Sequence, residues 1–168
     1  MSRCAVGVGS NLGDRLGYLG LAISGLAAVS RVAAVSSVYE TIPIGGPDQG
    51  PFLNAVVVVD TARTPRGLLH ELLFIERSLG RVRDTRWGPR TLDLDLILWN
   101  DQEVSEPGLT IPHPRMKDRR FVLEPLLEVW PGARMPDGSA ITPSAKSVEQ
   151  QGLERVDVAI GGADDGGT

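Results

Sequence analysis

The sequence predicts an α+β domain built on an antiparallel sheet of about four strands, with two amphipathic helices on one face. Three observations predict it. Alternating apolar runs at 3–9, 32–40 and 92–100 and a continuous one at 55–61 read as strands. Two stretches between them carry leucines and isoleucines three and four apart, the period of a helix with one apolar face. Along the chain these come as strand, helix, strand, strand, helix, strand.

In the first strand Cys4, Val6 and Val8 share a face. SNLGD follows as a turn, and Asp14 is suited to cap a helix that runs to about Val29, with Leu16, Leu19, Ile23 and Leu26 at helical spacing. VAAVSSVYE, residues 32–40, returns to strand chemistry as a single strand. TIPIGGPDQGPFLN, residues 41–54, is rich in proline and glycine; it is too long for a tight hairpin and has the length of a functional loop. AVVVVDT, residues 55–61, is the clearest strand. Thr64 and Pro65 form an N-cap and first-turn proline. The helix they start turns Leu68, Leu69, Leu72, Ile75 and Leu79 inward and stops at Gly80. RVRDTRWGPRT is a second long loop. In the strand at 92–100, Leu92, Leu94, Leu96 and Leu98 point one way and Asp93, Asp95, Ile97 and Trp99 the other. Asp101-Gln102 can turn into a short hairpin arm. A basic, proline-rich loop at 111–120 precedes a helix at 121–129, and Thr142-Pro143 starts a short helix to about Gln151. The order β-α-β-β-α-β is the split, ferredoxin-like arrangement. The C-terminal helical elements would cover the second face, giving three layers, α/β/α. One domain is expected over 1–159, with residues 160–168, IGGADDGGT, as a flexible tail.

Composition narrows the function. A chain of 168 residues with net charge −4 and 5% aromatic residues is not built as a general nucleic-acid surface. The single cysteine, Cys4, rules out an intrachain disulfide and fits a reducing cytosol. The first strand begins almost at Met1 without signal-peptide chemistry, and no apolar run has transmembrane length. The expectation is a cytoplasmic protein with neither membrane nor nucleic-acid partner.

The chemistry concentrates in RWGPRTLDLDLILW, residues 86–99. A carboxylate in an apolar strand is costly unless something pairs with it. Asp93 and Asp95 share a face about 7 Å apart along the strand; a divalent cation removes their repulsion, and Mg²⁺ favours one or two carboxylates plus water and phosphate oxygens. Taken alone, two such acids are more often solvated or paired with arginine. Basic residues bracket these two: Arg81, Arg83, Arg86 and Arg90 before, and Arg115, Lys117, Arg119 and Arg120 behind His113. Arginine forks suit phosphate, so the pattern points to metal and polyphosphate. Trp87, among these arginines, suits covering a ligand, and Phe52 with Asn54 could hold a flat heterocycle by stacking and hydrogen bonds. His70, in mid-helix, reads as structural. No GxxxxGK[ST] loop occurs, so the glycines near the start do not make a P-loop.

These motifs, with GSNLGD, TIPIGGPDQGPFLNAV, IERSLGRVR and TIPHPRMKDRRFVLEPL, resemble those of the 6-hydroxymethyl-7,8-dihydropterin pyrophosphokinases, in the same order and over most of the chain. The resemblance implies a ferredoxin-like fold and an enzyme of folate biosynthesis that moves the terminal pyrophosphate of ATP to the pterin hydroxymethyl group, releasing AMP. It implies that Asp93 and Asp95 hold two Mg²⁺ ions, and that Arg81, Arg83, Arg90 and Asp95 are catalytic. Glu76, Arg83, Trp87, Arg90, Leu96, His113 and Arg119 are implied to bind ATP. Thr41, Pro43, Ile44, Phe52, Asn54, Trp87, Asp95 and Phe121 are implied to line the pterin pocket. Phe52, Leu73 and Pro114 stand where some members carry Tyr, a polar residue and an aromatic. A monomer is expected, with a homodimer as the alternative. Two rival readings share the fold. An RNA-recognition module would need exposed aromatics and a basic sheet; a noncatalytic nucleotide-binding regulator would not need both acids and arginines.

Overall fold

The computed structural model describes residues 1–41, 50–80, 92–149 and 152–160. Its main sheet holds β1 (Ser2–Ser10), β2 (Arg31–Val35), β3 (Val38–Thr41), β4 (Phe52–Thr61), β5 (Asp93–Trp99) and β8 (Glu154–Val156). The order is β5-β1-β4-β3-β8, with β2 also on β4, and every pairing is antiparallel. A small hairpin, β6 (Val104–Glu106) and β7 (Leu109–Ile111), follows β5, as the turn at Asp101-Gln102 predicts. The helices are α1 (Arg15–Val29), α2 (Pro65–Ser78), α3 (Arg120–Val129) and the short α4 (Ala145–Glu149).

The helix starts follow from their caps. Asp14 Oδ1 accepts the Gly17 N–H at 3.1 Å, and Thr64 Oγ1 accepts the Gly67 N–H at 3.0 Å with Pro65 in the first turn. Each satisfies a donor that a helix leaves open. At the other end Gly80 has φ +84°, the left-handed geometry that glycine adopts without strain. Helices α1 and α2 cover one sheet face, burying Leu19, Leu26, Leu68 and Leu72 with Cys4, Val6, Val8, Val57 and Val59. On the opposite face α3 and the chain around it bury Ala5, Val56 and Ile97 with Val122, Leu123 and Leu126. The three layers are those expected. The C-terminal segment does more than cover: β8 adds a strand to the outer edge of β3. Ile160 packs against the helix-side core, and residues 161–168 of the expected tail lie outside the described residues.

Two register details depart from the alternation. The strand expected over 32–40 is two strands, broken at Ser36-Ser37. Ser36 Oγ accepts the Val56 N–H at 2.9 Å and donates to the Ser37 carbonyl at 2.7 Å. A side chain thus takes the place of a ladder carbonyl, a competition that serine is equipped for. In β5, Val6 pairs with Leu96 but Ala5 pairs with Leu98, so Ile97 is an extra residue, a β-bulge. The bulge reverses the expected faces beyond it. Leu98 joins the α3-side core and Trp99 joins the helix α1/α2 core at 2% exposure; neither shares its face with the residues expected.

At the far end of the sheet Arg3 grips Asp60 through Nε and Nη2, at 2.9 and 3.1 Å, and Arg31 adds a third bond at 2.9 Å. The Arg3 bond first, then that from Arg31, hold the Asp60 carboxyl at about 2 against the effect of burial. A depressed carboxyl stabilises the fold above its unfolded value, near 4, and loses that contribution as pH falls toward 2. With solvent screening the exposed arginines, the contribution is about 1–2 kcal/mol. Asp60→Asn is expected to lower stability at pH 7 by that amount and to flatten urea-measured stability between pH 4 and 2. An unchanged pH slope would remove Asp60 as its source.

Candidate active site

The sheet face opposite α1 and α2 is covered by α3 only at one end. At the other end, register assembles a trough. Gly9 pairs with Asp93 on one side and Asn54 on the other, and Gly7 pairs with Asp95 and Val56. Residues opposite one another in antiparallel strands point to the same face. Asp93 therefore looks across Gly9 toward Asn54, and Asp95 across Gly7, over which the Ile97 side chain packs, toward Val56. Two strand spacings put the walls about 10 Å apart.

The far wall is held in place by polar contacts. Asn54 Nδ2 donates to Thr41 Oγ1 at 2.9 Å, and Phe52 pairs with Thr41. Arg15 donates to both Glu40 Oε2 at 3.1 Å and the Pro51 carbonyl at 2.9 Å, tying the ends of β3 and β4 together. From α3, Glu128 accepts from the Ser37 N–H at 2.9 Å, the Ser37 hydroxyl at 2.6 Å and the Tyr39 hydroxyl at 2.9 Å. Burial opposes ionisation of Glu128, but these donors outweigh it and hold the carboxyl below its ordinary range.

The near wall is β5. Glu76 of α2, 3% exposed, accepts the Leu94 N–H at 2.8 Å, the amide between the two aspartates. The bulge contributes directly: the Ile97 carbonyl accepts the His113 N–H at 2.9 Å, stitching the histidine loop to the acid strand. His113 Nδ1 accepts the Arg115 N–H at 3.1 Å, so a neutral ring carries its proton on Nε2. Burial first, then the Arg119 charge, lower the imidazole to about 4, with Asp93 opposing. Near neutral pH His113 is an uncharged donor. The Arg119 guanidinium lies 5.6 Å from the centre of the Phe121 ring, within cation–π range.

Among the expected site residues, Thr41, Phe52, Asn54, Asp93 and Asp95 meet around the trough, and His113 is tied to the strand that carries the acids. Leu96 does not join them; its side chain is 5% exposed in the helix-side core. Glu76 reaches the site through the β5 backbone. Pro43, Ile44, Arg81, Arg83, Trp87 and Arg90 lie outside the described residues. No sequence motif marks Gly7 and Gly9, which do not form a P-loop. Their signal was present: two glycines at i and i+2 in a strand leave one face bare. His70 is exposed on α2.

The donor set suits a hard cation. Among the described residues no three potential ligands cluster. Two carboxylates on one face leave a coordination shell for water and phosphate oxygens to complete, the preference of Mg²⁺ rather than of a closed protein cage.

Known proteins share the sequence and the fold of this chain. The family described as 7,8-dihydro-6-hydroxymethylpterin-pyrophosphokinase matches residues 5–131. A 2-amino-4-hydroxy-6-hydroxymethyldihydropteridine pyrophosphokinase from Methylorubrum extorquens is 43% identical over 159 residues, covering 94% of this chain and 100% of its own. One of the same name from Bacillus subtilis is 49% identical over 127 residues, 74% of this chain and 75% of its own. Among solved structures, an HPPK-DHPS in complex with substrates matches with TM-score 0.68 at 15% identity, over 83% of this chain and 42% of that one. The wild-type HPPK-DHPS of Plasmodium falciparum with SDX-DHP matches with TM-score 0.64 at 14% identity, over 83% and 43%. This chain thus spans under half the length of those solved chains, and at such identity they speak for the fold alone. With most of its length matched and the acid strand inside the match, the chain belongs to the 7,8-dihydro-6-hydroxymethylpterin-pyrophosphokinase family.

Proposed function

We propose that this trough is where the chain carries out its family's reaction, transfer of pyrophosphate from ATP to 6-hydroxymethyl-7,8-dihydropterin, giving the pterin diphosphate and AMP in folate biosynthesis. The observation that carries this is the register of β1: one strand with glycines on this face separates an acid pair from an amide and an aromatic ring. Asn54, with Phe52, Phe121 and Thr41, holds the pterin by edge hydrogen bonds and stacking; Pro43 and Ile44 complete that pocket, and Trp87 covers it. The hydroxymethyl oxygen is then turned toward β5, where the ATP phosphates lie. That oxygen attacks the β-phosphorus and its proton passes to water; the bond between the β-phosphorus and the α,β-bridging oxygen breaks, and AMP leaves with that oxygen. Arg81, Arg83, Arg90 and Arg119 neutralise phosphate charge, His113 donates from Nε2, and Glu76 holds the acid strand in place. Leu96 meets the nucleotide through its backbone.

Asp93 and Asp95 would hold two Mg²⁺ ions. When bound, these supply charge neutralisation and alignment of the polyphosphate. Positioning and electrostatics are most of what phosphoryl-type transfer asks of a protein. Among the described residues no helix is long and apolar enough to cross a membrane. We place the enzyme in the cytoplasm, acting as a monomer on small molecules.

The test is an assay with ATP, Mg²⁺ and the hydroxymethyl-dihydropterin. AMP is expected to form only when all three are present. Absence of AMP would leave a noncatalytic nucleotide-binding protein as the better reading, and AMP formed without pterin would leave an ATP hydrolase.

A further inference from the structure

Resting on the trough as the pterin site, we propose that Gly9 is a positioning residue for Asn54: the missing side chain at Gly9 sets the depth at which the Asn54 amide, and hence the substrate ring, sits on the sheet. A Cβ built on Gly9 would lie 2.9 Å from Asn54 Oδ1, closer than such atoms come, and 3.7 Å from Phe52 Cδ1, an ordinary contact. The amide therefore occupies the space that any other residue at position 9 would fill. It has little freedom to retreat. Its Nδ2 is bonded to Thr41 Oγ1, the residue is 7% exposed, and its backbone is paired on both sides, with Gly9 and with Tyr39. The requirement is local. A Cβ on Gly7, two residues along the same face, would meet Ile97 Cδ1 at 3.4 Å, Ile97 Cγ1 at 3.7 Å and the Asp95 carbonyl oxygen at 3.9 Å, all ordinary contacts, so position 7 tolerates a methyl group. Gly9 does not require positive φ, so its need is space and not backbone freedom.

Alanine at position 9 pushes the amide up into the trough or breaks its bond to Thr41. Either displaces the group that reads the pterin edge and leaves the acid strand in register. The test is a double-mutant cycle with Gly9→Ala, Asn54→Ala and the pair, measuring KM for the hydroxymethyl-dihydropterin and for ATP. Gly9→Ala is expected to raise the pterin KM about tenfold, the scale of one lost buried hydrogen bond, with the ATP KM within about twofold. Added to Asn54→Ala it is expected to cost nothing more. Additive losses, or an unchanged pterin KM in Gly9→Ala, would overturn the proposal. A ligand-free readout separates this from failure of the functional reading. The Asn54 side-chain NH₂ resonances are expected to shift in Gly9→Ala even if the protein proves to make no AMP, and unshifted resonances would overturn the proposal. Should Gly9→Ala be unstable, the double variant is expected to recover the melting temperature of Asn54→Ala alone; no recovery would show that the methyl strikes something other than the amide.

Discussion

Replacing Asp95 by alanine is expected to lower kcat by about three orders of magnitude, the scale of removing a main electrostatic contribution to the transferring group. The fold is expected to survive. Asp95 is only half-buried, on the open part of its face and opposite Gly7, so truncation opens no core cavity. Its chain neighbours Leu94 and Leu96 pack into the core on the other face. The check is AMP release beside thermal unfolding in the absence of nucleotide. A variant that unfolds near the assay temperature would mean that the acid serves the fold first. A variant that keeps full turnover would move the metal elsewhere.

The second large effect is on stability. Trp99→Ala is expected to cost about 3–5 kcal/mol, the usual loss for truncating a buried aromatic, and to lower the melting temperature by about 10 °C for a domain of this size. Simple alternation places Trp99 with the acids; the bulge at Ile97 turns it into the core beneath α1 and α2. Urea unfolding of the variant measures the cost. A loss under about 1 kcal/mol would return Trp99 to a surface role. The same bulge presents the Ile97 carbonyl to His113, so one inserted residue both completes a core and anchors a loop of the site.

Much of the fold was legible because it rests on local rules. Asp14 and Thr64-Pro65 announce helix starts by chemistry that needs no distant partner. The leucines of α2 and the valines of β4 mark their buried faces by period alone. The acid pair of β5 was legible for the same reason, since residues two apart in a strand share a face. What escaped were departures from period two. Ser36 replaces a backbone acceptor with its hydroxyl only because Val56 lies opposite. Ile97 bulges only because β1 and β5 shift register between Ala5 and Val6.

The sequence by itself determined the alternation of strands and helices from β1 to β5, apart from the break at Ser36-Ser37, the face carrying Asp93 and Asp95, and, through its motifs, the family. Tertiary structure alone decided that this face looks across Gly9 to Asn54 and across Gly7 to Val56, that Leu96 turns away from it, and that His113 is tied to it through Ile97. Periodicity is a property of one strand and can be read from one segment. Register is a relation between strands far apart in the chain, and it is the pairing of β1 with both β4 and β5 that makes two glycines the floor of a site.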